Sequence, residues 1–132
     1  MDRYDLEKRT LYFALKVIEF VETLPHSKAG EIIEFQLVKA GTSIGSNYRE
    51  ANRAESTKDF IHKIGIVEKE CSESAFWLEL CRAAGFGEPK LRAWLLQEAR
   101  ELLAIFSSTS RTTKRNQVAR SPRRRADIAA TK

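Results

Sequence analysis

An all-α fold, an antiparallel up-down-up-down four-helix bundle followed by a basic C-terminal tail, is what this sequence predicts, and three observations carry it. Six glycines and three prolines in 132 residues are too few for an all-β chain that turns every ten residues or so. Apolar residues recur at three- and four-residue steps in four separate segments, the period of a helix face. The breakers between those segments are short, which forces neighbouring helices antiparallel. At this length there is room for one packed core, and 42% hydrophobic against 31% charged residues is too apolar for a wholly disordered chain.

The first helix is expected from about Asp5 to Leu24, with Leu11, Ala14, Leu15, Ile18 and Val21 as its buried stripe and Pro25 as its stop. Ser27 is a good N-cap for the second, expected to run to about Glu55 along a seam of Ile33, Leu37, Ala40, Ile44, Asn47, Ala51 and Ala54. Ser56 caps the third, with Asp59 in the place of a capping-box acid. Its stripe is Phe60, Ile64, Val67, Cys71, Ser74, Leu78 and Cys81, closed by Gly85-Phe86-Gly87 as a left-handed cap closes a helix. Pro89 suits the first turn of the fourth helix, whose apolar face includes Leu91, Trp94, Leu95, Leu102, Ile105 and Phe106. Beyond Phe106 the run Ser107-Ser108-Thr109-Ser110 favours turns over helix interiors. The expected organisation is therefore a bundle over residues 1–110 and a flexible basic tail over 111–132. Helices as long as the second and third, close to thirty residues and about 40–45 Å, need support at their ends, which a homo-oligomer supplies.

Charge divides along the chain in the same way. Residues 1–110 hold fifteen Lys/Arg against seventeen Asp/Glu, whereas 111–132 hold eight against Asp127 alone, a net of +7. The tail cations are Arg111, Lys114, Arg115, Arg120, Arg123, Arg124, Arg125 and Lys132. Such a density neutralises several phosphates in a non-specific, salt-sensitive way, or docks on an acidic protein surface. The acidic N-terminus lacks the pattern of a secretory signal, and no uncharged run approaches a membrane span. Cys71 and Cys81, ten residues apart on one helix, lie roughly 15 Å apart. A disulfide needs about 7 Å, so two free thiols and a cytoplasmic location are expected.

The second helix carries the most unusual constellation. Gly41 and Gly45 in its interior cost about 1 kcal/mol each relative to Ala, so another backbone is expected close by, within the bundle, between subunits, or as a ligand or nucleic-acid strand in the groove. Thr42, Ser46, Arg49 and Arg53 form a polar stripe with Asn47 and Asn52 beside it. Arg49 and Arg53 suit phosphate, or else pair with acids of the third helix or a neighbouring subunit, among which are Glu68, Glu70 and Glu79. Phe76 and Trp77 belong to core or subunit interface, with base stacking as the alternative. Enzyme chemistry finds no support. His26 and His62 lack the partners of a di-iron bundle, two cysteines alone make no zinc site, and Arg53 stands nine positions before His62, not the four to six of helical nucleases. No catalytic residue, metal or cofactor is implied.

Gln36-Leu37-Val38-Lys39-Ala40-Gly41-Thr42-Ser43-Ile44-Gly45-Ser46-Asn47-Tyr48-Arg49-Glu50-Ala51 resembles the signature of the bacterial four-helix-bundle proteins encoded within 23S rRNA intervening sequences. So do Ser56 to Ile61 and Glu70 to Leu80, and the likeness covers roughly residues 4–106. Many members have proline where this chain has Gly45, and Gly where it has Asn52. The resemblance implies a bundle assembled as a ring, with a homopentamer as precedent, no known catalytic residues, and RNA or DNA binding as the usual conjecture. By position, the nucleic-acid residues it implies are Arg49 and Arg53. A related bundle is the accessory subunit of diversity-generating retroelements, so a protein-binding scaffold, for example for a reverse transcriptase, is the alternative function. A basic tail does not follow from the resemblance.

Overall fold

Every helix starts where a side chain takes over otherwise unpaired backbone donors. Asp2 accepts the Asp5 N–H at 2.9 Å to open α1 (Arg3–Val21), and Ser27 accepts that of Gly30 at 3.1 Å to open α2 (Lys28–Ala51). Ser56 does the same for α3 (Thr57–Ala84) through Asp59 at 3.0 Å. At α4 (Pro89–Arg120) the Glu88 carboxylate accepts from Lys90 at 3.1 Å and Leu91 at 2.6 Å, which holds its carboxyl below the usual range. These elements come from a computed structural model that describes residues 2–120; among them there are four helices and no strand.

The helices pack in sequence order. The most extensive contacts join α2 to α3 and α3 to α4; α1 lies along α2, and a shorter stretch of α1 meets α4 to close the bundle. Phe13, Phe20, Leu37, Ile44, Ile64, Leu78, Leu95, Leu102 and Phe106 are fully buried along the axis, each side chain contributing about 1.5–3 kcal/mol from burial. The α3 stripe is as expected: Ile64, Val67, Cys71, Ser74, Leu78 and Cys81 are buried and Phe60 packs against them. Both cysteines are free and buried. Gly85 ends α3 at φ +71°, and the Phe86 N–H donates back to the Cys81 carbonyl at 2.8 Å.

Three expectations need correction. The core face of α1 is Leu6, Thr10, Phe13, Val17, Phe20 and Val21, while Leu11, Leu15 and Ile18 stand 59%, 52% and 46% exposed. Both sets have helical spacing; the set with two phenylalanines wins because it buries more area, and because slender Thr10 and Val17 fit against α2. In α2 the helix ends at Ala51, so Ala54 falls in the link to α3 and Tyr48 joins the core instead of Asn47, whose Nδ2 donates to the Ser43 carbonyl at 2.8 Å. In α4, Trp94 is 40% exposed, edge-on to Tyr12 at 5.6 Å between centroids.

α4 also continues well past Phe106. Two of the hydroxyls expected to break it are bonded, Ser107 to Glu68 of α3 at 3.1 Å and Thr109 to the Ile105 carbonyl at 3.1 Å, and farther on Thr113 donates to the Thr109 carbonyl at 2.8 Å. Ser110 is buried. Extending an existing helix costs far less than starting one, so these weak formers are carried along. The boundary expected between residues 110 and 111 thus falls inside α4.

Candidate nucleic-acid interface

Among the described residues, the cations singled out in the sequence lie at the end of α2, in the link that follows it and on the last third of α4, which border one end of the bundle. There the N-terminus of α1, the α2–α3 link and the last third of α4 surround a cleft of about 440 Å³, lined by Arg3, Asn52, Glu55, Phe60 and Thr113 among others. Beyond Thr113, α4 runs on for seven residues, roughly 10 Å. Arg111, just before Thr113, and Lys114 and Arg115, just after it, are exposed and form no ion pair among the described residues. Arg120 closes the helix. From Leu102 to Arg120 there is no acidic residue. Arg123, Arg124 and Arg125 lie outside the described residues.

The arginines of the α2 motif are placed differently from one another. Arg49 is half exposed and its Nε lies 3.8 Å from Glu7 Oε1 of α1, not beside the acids of α3. Glu7 also accepts from Asn52 Nδ2 at 3.0 Å, so one carboxylate ties the end of α2 to the start of α1. Arg53 falls past the end of α2, exposed in the link beside the cleft, and does not continue a helical stripe with Arg49. Tyr48 is buried with its ring tilted against that of Phe106 at 5.0 Å between centroids, and burial pushes its phenol up from the ordinary value.

Acids temper this end but are mostly engaged. Glu50 pairs with Lys63 at 3.1 Å and Glu7 is held as described, whereas Glu55 lines the cleft itself. Arg3 was not singled out by sequence reasoning. It carries no periodicity signal, and only the antiparallel return of α4 brings it to the cleft.

Gly41 and Gly45 face α1. A Cβ at Gly41 would stand 2.9 Å from Val17 Cγ2, and one at Gly45 would stand 3.1 Å from Thr10 Oγ1. The close approach that their cost requires is thus made inside the bundle. Outside that contact, Leu11, Ala14, Leu15 and Ile18 of α1 and Thr42, Ser46 and Arg49 of α2 line a largely apolar groove of about 410 Å³. Trp77 packs partly buried against the core, with its ring edge-on to Phe76 at 5.0 Å, and its indole N–H has no partner among the described residues. No group of three or more His, Cys, Asp or Glu among the described residues is placed to hold a metal ion, and no described helix is long and apolar enough to cross a membrane.

Comparison with known proteins points the same way as the motif on α2. The chain is 29% identical to a protein of unknown function from the S23 ribosomal protein family of Bacteroides thetaiotaomicron VPI-5482, known from its crystal structure. That likeness covers 79% of this chain and 96% of the other, with a TM-score of 0.72. No curated protein matches. The model of the family described as 23S rRNA-intervening sequence protein matches residues 3–108, ending just before Arg111. The four-helix bundle and this match over most of the chain together establish that the protein belongs to the 23S rRNA-intervening sequence protein family.

Proposed function

We propose that this protein is a non-catalytic, self-associating bundle of the cytoplasm that binds RNA or DNA without sequence preference through the cations at the C-terminal end of α4. The feature that carries this is the exposed series Arg111, Lys114 and Arg115, unpaired among the described residues and uninterrupted by acids, at the end of the bundle where Arg3 and Arg53 also lie. Guanidinium and ammonium groups there release counterions from a phosphate backbone. They position a strand but do not read its bases.

Self-association rests on a different feature, the exposed stripe of Leu11, Leu15 and Ile18 along α1. A contiguous apolar patch edged by polar groups marks a protein interface, and here its occupant is a second copy of the chain. Several subunits then bring several α4 ends onto one strand, and weak contacts add through effective concentration.

The test is fluorescence anisotropy of a labelled single-stranded RNA at about 100 mM salt, comparing the full chain with the Arg111→Gln/Lys114→Gln/Arg115→Gln variant. Affinity should fall by about tenfold or more while the far-UV circular dichroism of the bundle is retained. Equal affinity for the two proteins, or no binding by either at low salt, removes the proposal.

A further inference from the structure

The other end of the bundle holds a second concentration of positive charge. Where α3 ends and α4 begins, a cavity of about 210 Å³ is lined by Arg82, Arg92 and Arg100, with Gln97 between them and Leu96 on its apolar side. No acidic residue lines it. The three guanidiniums reach it from two helices and are differently anchored. Arg92 Nη1 donates to the carbonyls of Phe86 at 2.8 Å and Gly87 at 3.4 Å, which fixes the group in place without neutralising it. Arg100 Nη2 donates to Glu79 at 2.8 Å, but both side chains are about half exposed, so this pair contributes little. Arg82 forms no ion pair among the described residues. The next acid along, Glu88, is turned to the N–H groups of Lys90 and Leu91.

A single arginine at this place has a simple explanation, because the last turn of α3 favours a cation. Arg92 is held by the carbonyls that follow α3 and Arg100 by Glu79, yet both line the same small cavity as Arg82 and no acidic residue lines it with them. We propose that this cavity is a binding site for a phosphate group, supplied by a nucleic-acid backbone or by a free polyphosphate. Planar guanidinium forks match phosphate oxygens two at a time, and the Gln97 amide adds an uncharged donor at the rim. The site stands apart from the α4 terminus: Arg92 and Arg111 are nineteen residues apart on one helix, roughly 28 Å along its axis. It does not depend on the function proposed above.

Isothermal titration calorimetry of the full chain with inorganic pyrophosphate tests this. The expected result is binding that weakens by about tenfold or more in Arg82→Gln, a substitution that breaks no ion pair among the described residues. Arg100→Gln serves as the second variant, and circular dichroism confirms that each remains folded. The Arg111→Gln/Lys114→Gln/Arg115→Gln protein should bind pyrophosphate as the parent does, even where it has lost RNA, so the two proposals fail separately. Absence of pyrophosphate binding by the parent overturns the site, as does binding that survives both arginine variants or is lost only with the α4 terminal charges. A parallel salt titration with single-stranded RNA separates the sources. A smaller salt dependence in Arg82→Gln assigns the backbone phosphate, and an unchanged one, with pyrophosphate binding lost, assigns the free ligand.

Discussion

The Arg9 guanidinium grips the Glu98 carboxylate with two parallel hydrogen bonds, Nε to Oε2 and Nη2 to Oε1, each 2.7 Å. Glu98 is only 7% exposed, and the pair joins α1 to α4 where those helices otherwise meet over a short stretch. Removing one member of such a pair strands the other. Arg9 keeps some water and has Glu101 at 3.7 Å, which softens the loss. Glu98→Ala should therefore lower the unfolding free energy by about 2 kcal/mol in urea denaturation. A change within about 0.5 kcal/mol would show that the fork does not secure α1.

Gly87 sits at φ +85° in the α3–α4 link, and a Cβ there would stand 2.5 Å from the buried ring of Phe20. Both the backbone and the space reject a side chain. Gly87→Ala should destabilise the protein by roughly 1–3 kcal/mol, read from the denaturant midpoint. Gly65, with nothing within 4 Å of its would-be Cβ, is the control. Gly65→Ala in the middle of α3 should be neutral or stabilise by up to about 1 kcal/mol.

Burial pushes the Cys71 thiol up to about 12, with Glu68 and Glu70 adding to the shift, and the Cys81 thiol is also raised. Under native conditions both should resist iodoacetamide at pH 8, reacting only after denaturation. The sign for stability follows from the raised value. The unfolded chain ionises Cys71 near 9.0 and the folded one near 12, so its contribution is complete below pH 9 and is lost as pH rises toward 12. Denaturation curves across that range should shift to lower denaturant, and Cys71→Ala should reduce the shift.

Leu15 lies in the middle of the exposed α1 stripe, about half of it open to solvent. Leu15→Glu should leave helicity and unfolding free energy nearly unchanged while reducing the molar mass seen by light scattering to that of one chain. A parent protein that is already monomeric, or a variant that keeps the parent's mass, would refute self-association through this face.

How far the sequence is legible depends on how many apolar stripes a helix carries. In α3 a single spacing groups Ile64, Val67, Cys71, Ser74, Leu78 and Cys81, and all six are buried as it predicts. α1 has two apolar stripes at the same spacing. Periodicity cannot rank Leu11, Leu15 and Ile18 against Phe13, Val17 and Phe20; side-chain volume and the fit of Thr10 and Val17 to Gly45 and Gly41 decide. Propensity misplaced the end of α4, because Ser107 finds Glu68 of α3, an acceptor that an isolated segment does not reveal, and an established helix carries Thr109 and Thr113 along on its own carbonyls. Of the candidate interface, the cations themselves were visible in the composition. That they share an end of the bundle with Arg3 and Arg53 was not, since it depends on the antiparallel return of α4.

The most direct test of cationic, sequence-independent binding is the affinity for single-stranded RNA measured over a series of salt concentrations on two unrelated sequences. The expectation is a linear fall of log affinity with log salt, with a slope of about −2 or steeper, the same for both sequences. A slope near zero, or a strong preference for one sequence that persists at high salt, would contradict it.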